Sequence, residues 1–158
     1  MRAAIATSAT ANHRRMHEMR GIELGYSYAG SPLIAEEAGN VAEWDTVIYT
    51  PDTRPGVRIP HMWLKNGHAI HDTLGEHFTL LDLVGNIETG PLVTAFGALG
   101  APLKMVRLDE PDVRAVYGFG IFLLRPDLHA DGRARRRDVR GIRVEDVVHR
   151  DRVRRLRP

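Results

Sequence analysis

Between His77 and Leu124 the sequence alternates short apolar runs with helical stretches, and that alternation restricts the fold more than any other feature. His77-Phe78-Thr79-Leu80-Leu81-Asp82-Leu83 reads as a buried strand. Residues 89–99 read as a helix stopped at Gly100, because glycine readily takes the left-handed conformation that closes a helix. Leu103-Lys104-Met105-Val106-Arg107-Leu108 alternates apolar and basic residues, as a second strand does. Glu110 to Tyr117 suits a short helix with Pro111 in its first turn, where the missing N–H has no partner to lose. Phe119 to Leu124 is a third strand, ended by Arg125-Pro126-Asp127. Strand, helix, strand, short helix, strand predicts an α/β layer with one βαβ crossover.

The chain before this block is less regular. Residues 3–20 are good helix formers, with Gly21 as a stop. Ile22, Leu24, Tyr26 and Tyr28 alternate with Glu23, Gly25 and Ser27, which predicts a strand. Gly30, Pro32, Gly39 and Asn40 mark residues 29–46 as a connecting loop, and Val47-Ile48-Tyr49 as a short strand after it. Pro51, Pro55 and Pro60 then fix the backbone and remove donors, so residues 51–61 form an extended loop with a turn at Pro55-Gly56.

A chain of 158 residues suits one domain, and the absence of cysteine removes disulfides, thiolate metal sites and thiol redox chemistry. That absence fits a reducing cytoplasm. No apolar run approaches the roughly 18 residues of a membrane span, and Met1 to Met19 lacks the apolar core of a secretory signal. Charge is divided unevenly. Residues 133–158 hold 11 arginines against 4 acidic residues, a local net of +7, while the preceding body is net −5. From Ala130 onward aromatic residues, Ser, Thr, Asn, Gln and Lys are all absent, so residues 130–158 read as a biased, disordered tail. The organisation expected is therefore residues 1–46 as helix, strand and loop, 47–129 as the folded domain, and 130–158 as the tail.

Catalytic and cofactor patterns are incomplete. Gly118-Phe119-Gly120 has Leu123 where a dinucleotide fingerprint needs its third glycine, and it precedes a strand rather than a helix. Gly25-Tyr26-Ser27-Tyr28-Ala29 lacks the final glycine of a nucleophile elbow. His13 and His17 share a helical face, but Arg14, Arg15 and Arg20 disfavour a cation there. His68, His71 and Asp72 have no third metal ligand placed by spacing. The arginine-rich tail is the basis of an alternative reading, a nucleic-acid or anionic-surface binder, although it lacks the aromatic residues on which bases stack. A small histidine-dependent hydrolase is a third reading.

The run Pro51-x-x-Arg54-Pro55-Gly56-x-Arg58-x-Pro60-His61-x-Trp63-Leu64 resembles the start of the C-terminal domain of FAD-dependent aromatic-ring hydroxylases, flavoprotein monooxygenases of the phenol and polyketide hydroxylase type. Further stretches agree in order: Leu24-Gly25-Tyr26-x-Tyr28 with Ser31-Pro32, Asp72-x-x-Gly75 with Phe78-Thr79-Leu80-Leu81, Gly100-x-Pro102-Leu103, Tyr117-Gly118, and Leu124-Arg125-Pro126-Asp127-x-His129. The resemblance covers residues 22–129 and implies a cysteine-free thioredoxin-like fold, a small sheet with flanking helices. It also implies that FAD and NAD(P)H belong to a larger flavin-binding domain not contained here, and that residues 1–20 end the helix leading out of it. No catalytic, cofactor or metal residue carries over, and no cofactor is expected in this chain.

What the resemblance implies for function is an auxiliary domain of such a monooxygenase, engaged in packing or subunit contact, with a homodimer or the missing flavin-binding domain as its partner. Neither nucleic acid nor membrane is an expected partner. Arg54, Arg58 and His61 on the stiffened loop, with Asp72 as acceptor of an Arg or His hydrogen bond, are the structural or interaction candidates. Two departures stand out. Ala69-Ile70 replaces a small hydroxyl pair, and Ala130-Asp131-Gly132-Arg133 stands where the family continues with an apolar-aromatic strand. The last strand of the sheet is therefore expected to be missing, leaving its neighbour as an open edge.

Overall fold

The computed structural model describes residues 2–31, 34, 37, 44–85, 88–134 and 142. Three helices come first along the chain: α1 (Arg2–His17), α2 (Arg20–Gly25) and α3 (Ile70–Thr73). The expected alternation follows as β1 (Phe78–Asp82), α4 (Gly90–Ala98), β2 (Leu103–Arg107), α5 (Pro111–Tyr117), β3 (Ile121–Leu124) and β4 (Ala130–Ala134). The sheet order is β2-β1-β3-β4, with β1 and β2 parallel and the other two neighbouring pairs antiparallel. Helix α4 spans the parallel pair, as the βαβ pattern predicts.

Successive strand residues point to opposite faces, so a strand buried on both faces must be apolar throughout. In β3 every residue is apolar and fully buried. Phe122 and Leu124 join Leu81, Val113, Tyr117, Ile59 and Ile70 on the face covered by α3, α5 and the proline loop. Ile121 and Leu123 join Leu80, Leu92 and Phe96 on the face covered by α4. Each of these side chains contributes about 1.5–3 kcal/mol of burial free energy. Mixed strands with helices on both faces and no cysteine make this a small thioredoxin-like α/β domain.

At the end of β1, buried Asp82 fixes the exit of the chain. Its carboxylate accepts the backbone N–H groups of Val84 and Gly85, at 2.9 and 2.8 Å, and the Arg107 guanidinium at 3.2 Å. Helix α5 stops at Gly118, whose φ of 70° is the left-handed closing conformation.

Four expectations fail, each for a physical reason. Residues 22–28 form no strand: α2 takes Arg20–Gly25, and only Ser27 makes an isolated bridge, to Val57. Long-range bonds decide this, with Ile22 N–H donating to the Thr46 carbonyl and the Trp44 indole to the Gly21 carbonyl. Gly21 accordingly lies inside a helix rather than ending one. Residues 47–49 form no strand because the Asp45 carboxylate captures the N–H groups of Val47 and Ile48, at 2.7 and 2.9 Å.

The fourth correction concerns the sheet edge. The last strand is present: β4 pairs with β3 across the compositional boundary at Ala130, with a bulge that Asp131 occupies. Strand pairing uses backbone groups, so small side chains suffice where the space above them is filled. Ala130 and Ala134 are buried, and Ile142 packs over Gly132. Residues 130–134 and 142 thus belong to the folded unit. The predicted disorder of the remaining tail, and the turn residues Pro32, Gly39 and Asn40, lie outside the described residues.

Candidate functional site

The proline loop is built into the domain at several points. Gly56 N–H donates to the Ala130 carbonyl at 2.7 Å, and Ala130 N–H donates back to Val57 at 2.9 Å. Ile59 N–H donates to Leu128 at 3.0 Å, and the Ile59 side chain is fully buried. From α5, the Tyr117 hydroxyl donates to the Pro60 carbonyl at 2.6 Å, while the Thr53 hydroxyl donates to the Tyr117 carbonyl at 2.9 Å. Burial pushes the Tyr117 hydroxyl well above the ordinary tyrosine range, so it remains a donor.

The four sequence candidates do not converge. Arg54 turns back on Asp52, pairing through Nε, and Asp52 also accepts the N–H groups of Thr53 and Arg54. Arg58 approaches His71 instead, its Nη2 lying 3.5 Å from Nδ1. The other ring nitrogen of His71 lies 3.2 Å from the Ile59 carbonyl, an acceptor only, so Nε2 carries the proton and Nδ1 is open to Arg58. Burial, and then the Arg58 charge, hold His71 below the ordinary histidine range.

His61 stacks edge-on against Trp63 at 4.9 Å between ring centroids and against His71 at 5.5 Å. Asp72 is exposed, and no described residue donates a hydrogen bond to its carboxylate, which acts on the neighbouring His71 through its charge. His71, named in the sequence only as a metal candidate, takes its place beside Arg58.

A second cluster escaped sequence reasoning. His129 is wholly buried, with its ring 4.9 Å from that of Tyr26 and 4.7 Å from that of Tyr28. Its Nδ1 lies 3.0 Å from the Asp127 carbonyl, and its Nε2 has no partner among the described residues. Burial is the main cause that holds its pKa below the ordinary range. The Arg125 guanidinium lies 5.1 Å from the Tyr28 ring. Tyr-x-Tyr and Arg-Pro-Asp-x-His were both visible as motifs, but nothing in their spacing says that they meet.

Arg133, in β4, joins three more parts of the fold. It pairs with Glu37 at 2.7 Å, donates to the Thr53 hydroxyl at 3.0 Å and lies 4.0 Å from the Phe119 ring.

No nucleophile, base and oxyanion donor converge in either cluster. Among the described residues no group of three or more His, Asp and Glu is placed to hold a metal. His13 and His17 do stack at 4.5 Å on α1. An open cleft of about 460 Å³ beside α5 is lined by Leu83, Asp109, Pro111, Arg114, Ala115 and Gly118, away from all four candidates. Gly118-Phe119-Gly120 closes α5 and enters β3, so it offers no helix N-terminus to a pyrophosphate. No helix among the described residues is long and apolar enough to cross a membrane.

No protein-family model matches the chain. Among curated proteins it is similar to the FAD-dependent monooxygenase apdD of Emericella nidulans, at 31% identity over 123 residues, 73% of this chain and 20% of that protein. It is likewise similar to the phenol 2-monooxygenase of a Pseudomonas species, at 31% identity over 133 residues, 73% of this chain and 22% of that one. Among solved structures, one of RebC described as native and K252c-bound RebC-10x matches 92% of this chain and 28% of its own, at 31% identity and a TM-score of 0.74. The chain thus spans about a fifth of the length of the curated relatives it matches. In sequence and in fold, the chain is related to one segment of the FAD-dependent flavoprotein monooxygenases.

Proposed function

We propose that this chain is an auxiliary, C-terminal-type domain of an FAD-dependent aromatic-ring monooxygenase, or derives from one, and that its work is packing rather than chemistry. The observation that carries the reading is the match of nearly the whole chain to a minor part of much longer flavoenzymes. The geometry supports it, because Arg54, the backbone N–H groups of Gly56 and Ile59 and the Pro60 carbonyl are occupied in holding the loop. FAD and NAD(P)H belong, on this reading, to the larger flavin-binding part. The described side chains of α1 are all exposed, and an isolated helix of its 16 residues is marginal in water, which suits a helix that packs on another surface. A cytoplasmic location accords with the cofactor chemistry.

The test is a titration of the purified chain with FAD, followed by flavin absorbance and fluorescence. No change at micromolar flavin is expected. Saturable binding would mean that the chain holds a flavin site of its own and would end the auxiliary reading.

A further inference from the structure

The exposed aromatic residues are gathered in one region. Trp63 is 70% exposed, Trp44 55% and Tyr26 36%. A series of contacts joins them. Trp63 meets His61, His61 meets His71, and His71 meets Arg58. Arg58 bridges His129 through the backbone, and the His129 ring meets that of Tyr26 at 4.9 Å. Tyr49 and Trp44 both flank Gly25, at 3.4 and 3.8 Å from where its side chain would begin. The exposed apolar residues of the sheet domain are instead aliphatic and scattered, with Val93 on α4, Met105 on β2 and Val116 on α5.

Tryptophan, tyrosine and arginine dominate interface hot spots, the two aromatic residues because they bury large areas with few rotamers to freeze and arginine because its planar fork binds carboxylates in two places. The backbone beneath them is already fixed: Ile59 is fully buried, Pro60 is held by Tyr117, and Gly21 lies against Asp45. Docking onto such a surface loses little further entropy.

We infer that the surface carrying Trp63, His61, Arg58, Tyr26 and Trp44 is the face by which this chain docks on the flavin-binding part of a monooxygenase, an inference that rests on the function proposed above. That part is the occupant because the relatives are several times longer than the segment matched, so most of each relative lies outside the region this chain can supply. The chemistry of the face asks for an apolar surface bearing a carboxylate. Trp63 supplies area, and the Arg58 guanidinium supplies the donors that match a carboxylate.

The test uses the full chain and, as probe, Pseudomonas phenol 2-monooxygenase deleted of the segment this chain matches and verified to retain FAD. Binding is read by sedimentation at the flavin absorbance. The unaltered chain is expected to bind. Trp63→Ser and Arg58→Gln should each weaken binding roughly tenfold, with Trp63→Phe intermediate, while Met105→Ser and Val116→Ser leave it unchanged. Circular dichroism confirms that each variant is folded. If Trp63→Ser and Trp63→Phe bind like the unaltered chain, the face is wrong and the auxiliary reading stands. If the unaltered chain does not bind the FAD-loaded probe, the auxiliary reading fails and the face with it. A chain that dimerises by itself, and whose dimer Trp63→Ser dissolves, gives the face to a second copy and overturns the occupant named here.

Discussion

The sheet domain and the region before it are held by different means. From Phe78 to Ala134 the fold rests on apolar strands buried on two faces, so its energy is spread over many interchangeable contacts. From Arg20 to Leu64 the described chain has one short helix and isolated bridges. There, apart from Ile59 and Leu64, which enter the sheet's core, the fold rests on point attachments: Trp44 to Gly21, Tyr117 to Pro60, and the tyrosine pair around His129. Failure of one attachment should loosen the second region locally, while the apolar strands of the first share the load.

Substitutions can break this contrast. Phe122→Ala, in the fully buried centre of β3, should cost about 3–5 kcal/mol in chemical denaturation and unfold both regions together. Gly21→Ala places a methyl group 1.8 Å from the Asp45 carbonyl oxygen, a clash with backbone that cannot move cheaply. A cost of about 1–3 kcal/mol is expected, confined to the second region, with faster hydrogen exchange at the Ile22 amide while β3 amides stay protected. Uniform loss of protection would show the two regions to be one cooperative unit. Tyr117→Phe removes the bond to Pro60 and should cost about 1 kcal/mol, read as a lower melting temperature.

Acidity sharpens the comparison further. Burial lowers the pKa of His71 and His129 from the usual 6.5, so the folded state binds fewer protons than the unfolded chain. Their contribution is fully present above about 6.5 and is lost as pH falls through that value toward the folded-state pKa. The melting temperature should fall across that window, and less so in His129→Leu. An equal fall in that variant would remove His129 from the account. The smallest effect is expected at Asp72→Ala, within about 0.5 kcal/mol, because no described residue pairs with its carboxylate.

Much of the sheet was legible because hydrophobic periodicity is a local signal. Leu80-Leu81 and Ile121-Phe122-Leu123-Leu124 can satisfy both faces only as central strands. The N-terminal region was not legible, because Ile22 and Trp44 choose partners that distance along the chain conceals. Composition misled at Ala130, where a narrow residue set suggested a tail while β3 still offered a backbone edge to pair. At the candidate site the loop and its stiffness were readable from Pro51, Pro55 and Pro60. The partner of Arg58 was not, since Asp72 and His71 are neighbours in sequence and only the turn of α3 decides which one faces the loop.

Trp44 and Trp63 are the only 2 tryptophans in the chain, and both lie outside the sheet. Indole emission therefore watches one half of the molecule and is blind to the other, whereas amide circular dichroism sees the strands. A single sample heated under both lights reports two melting curves, and their separation measures directly how far the outer region has a stability of its own.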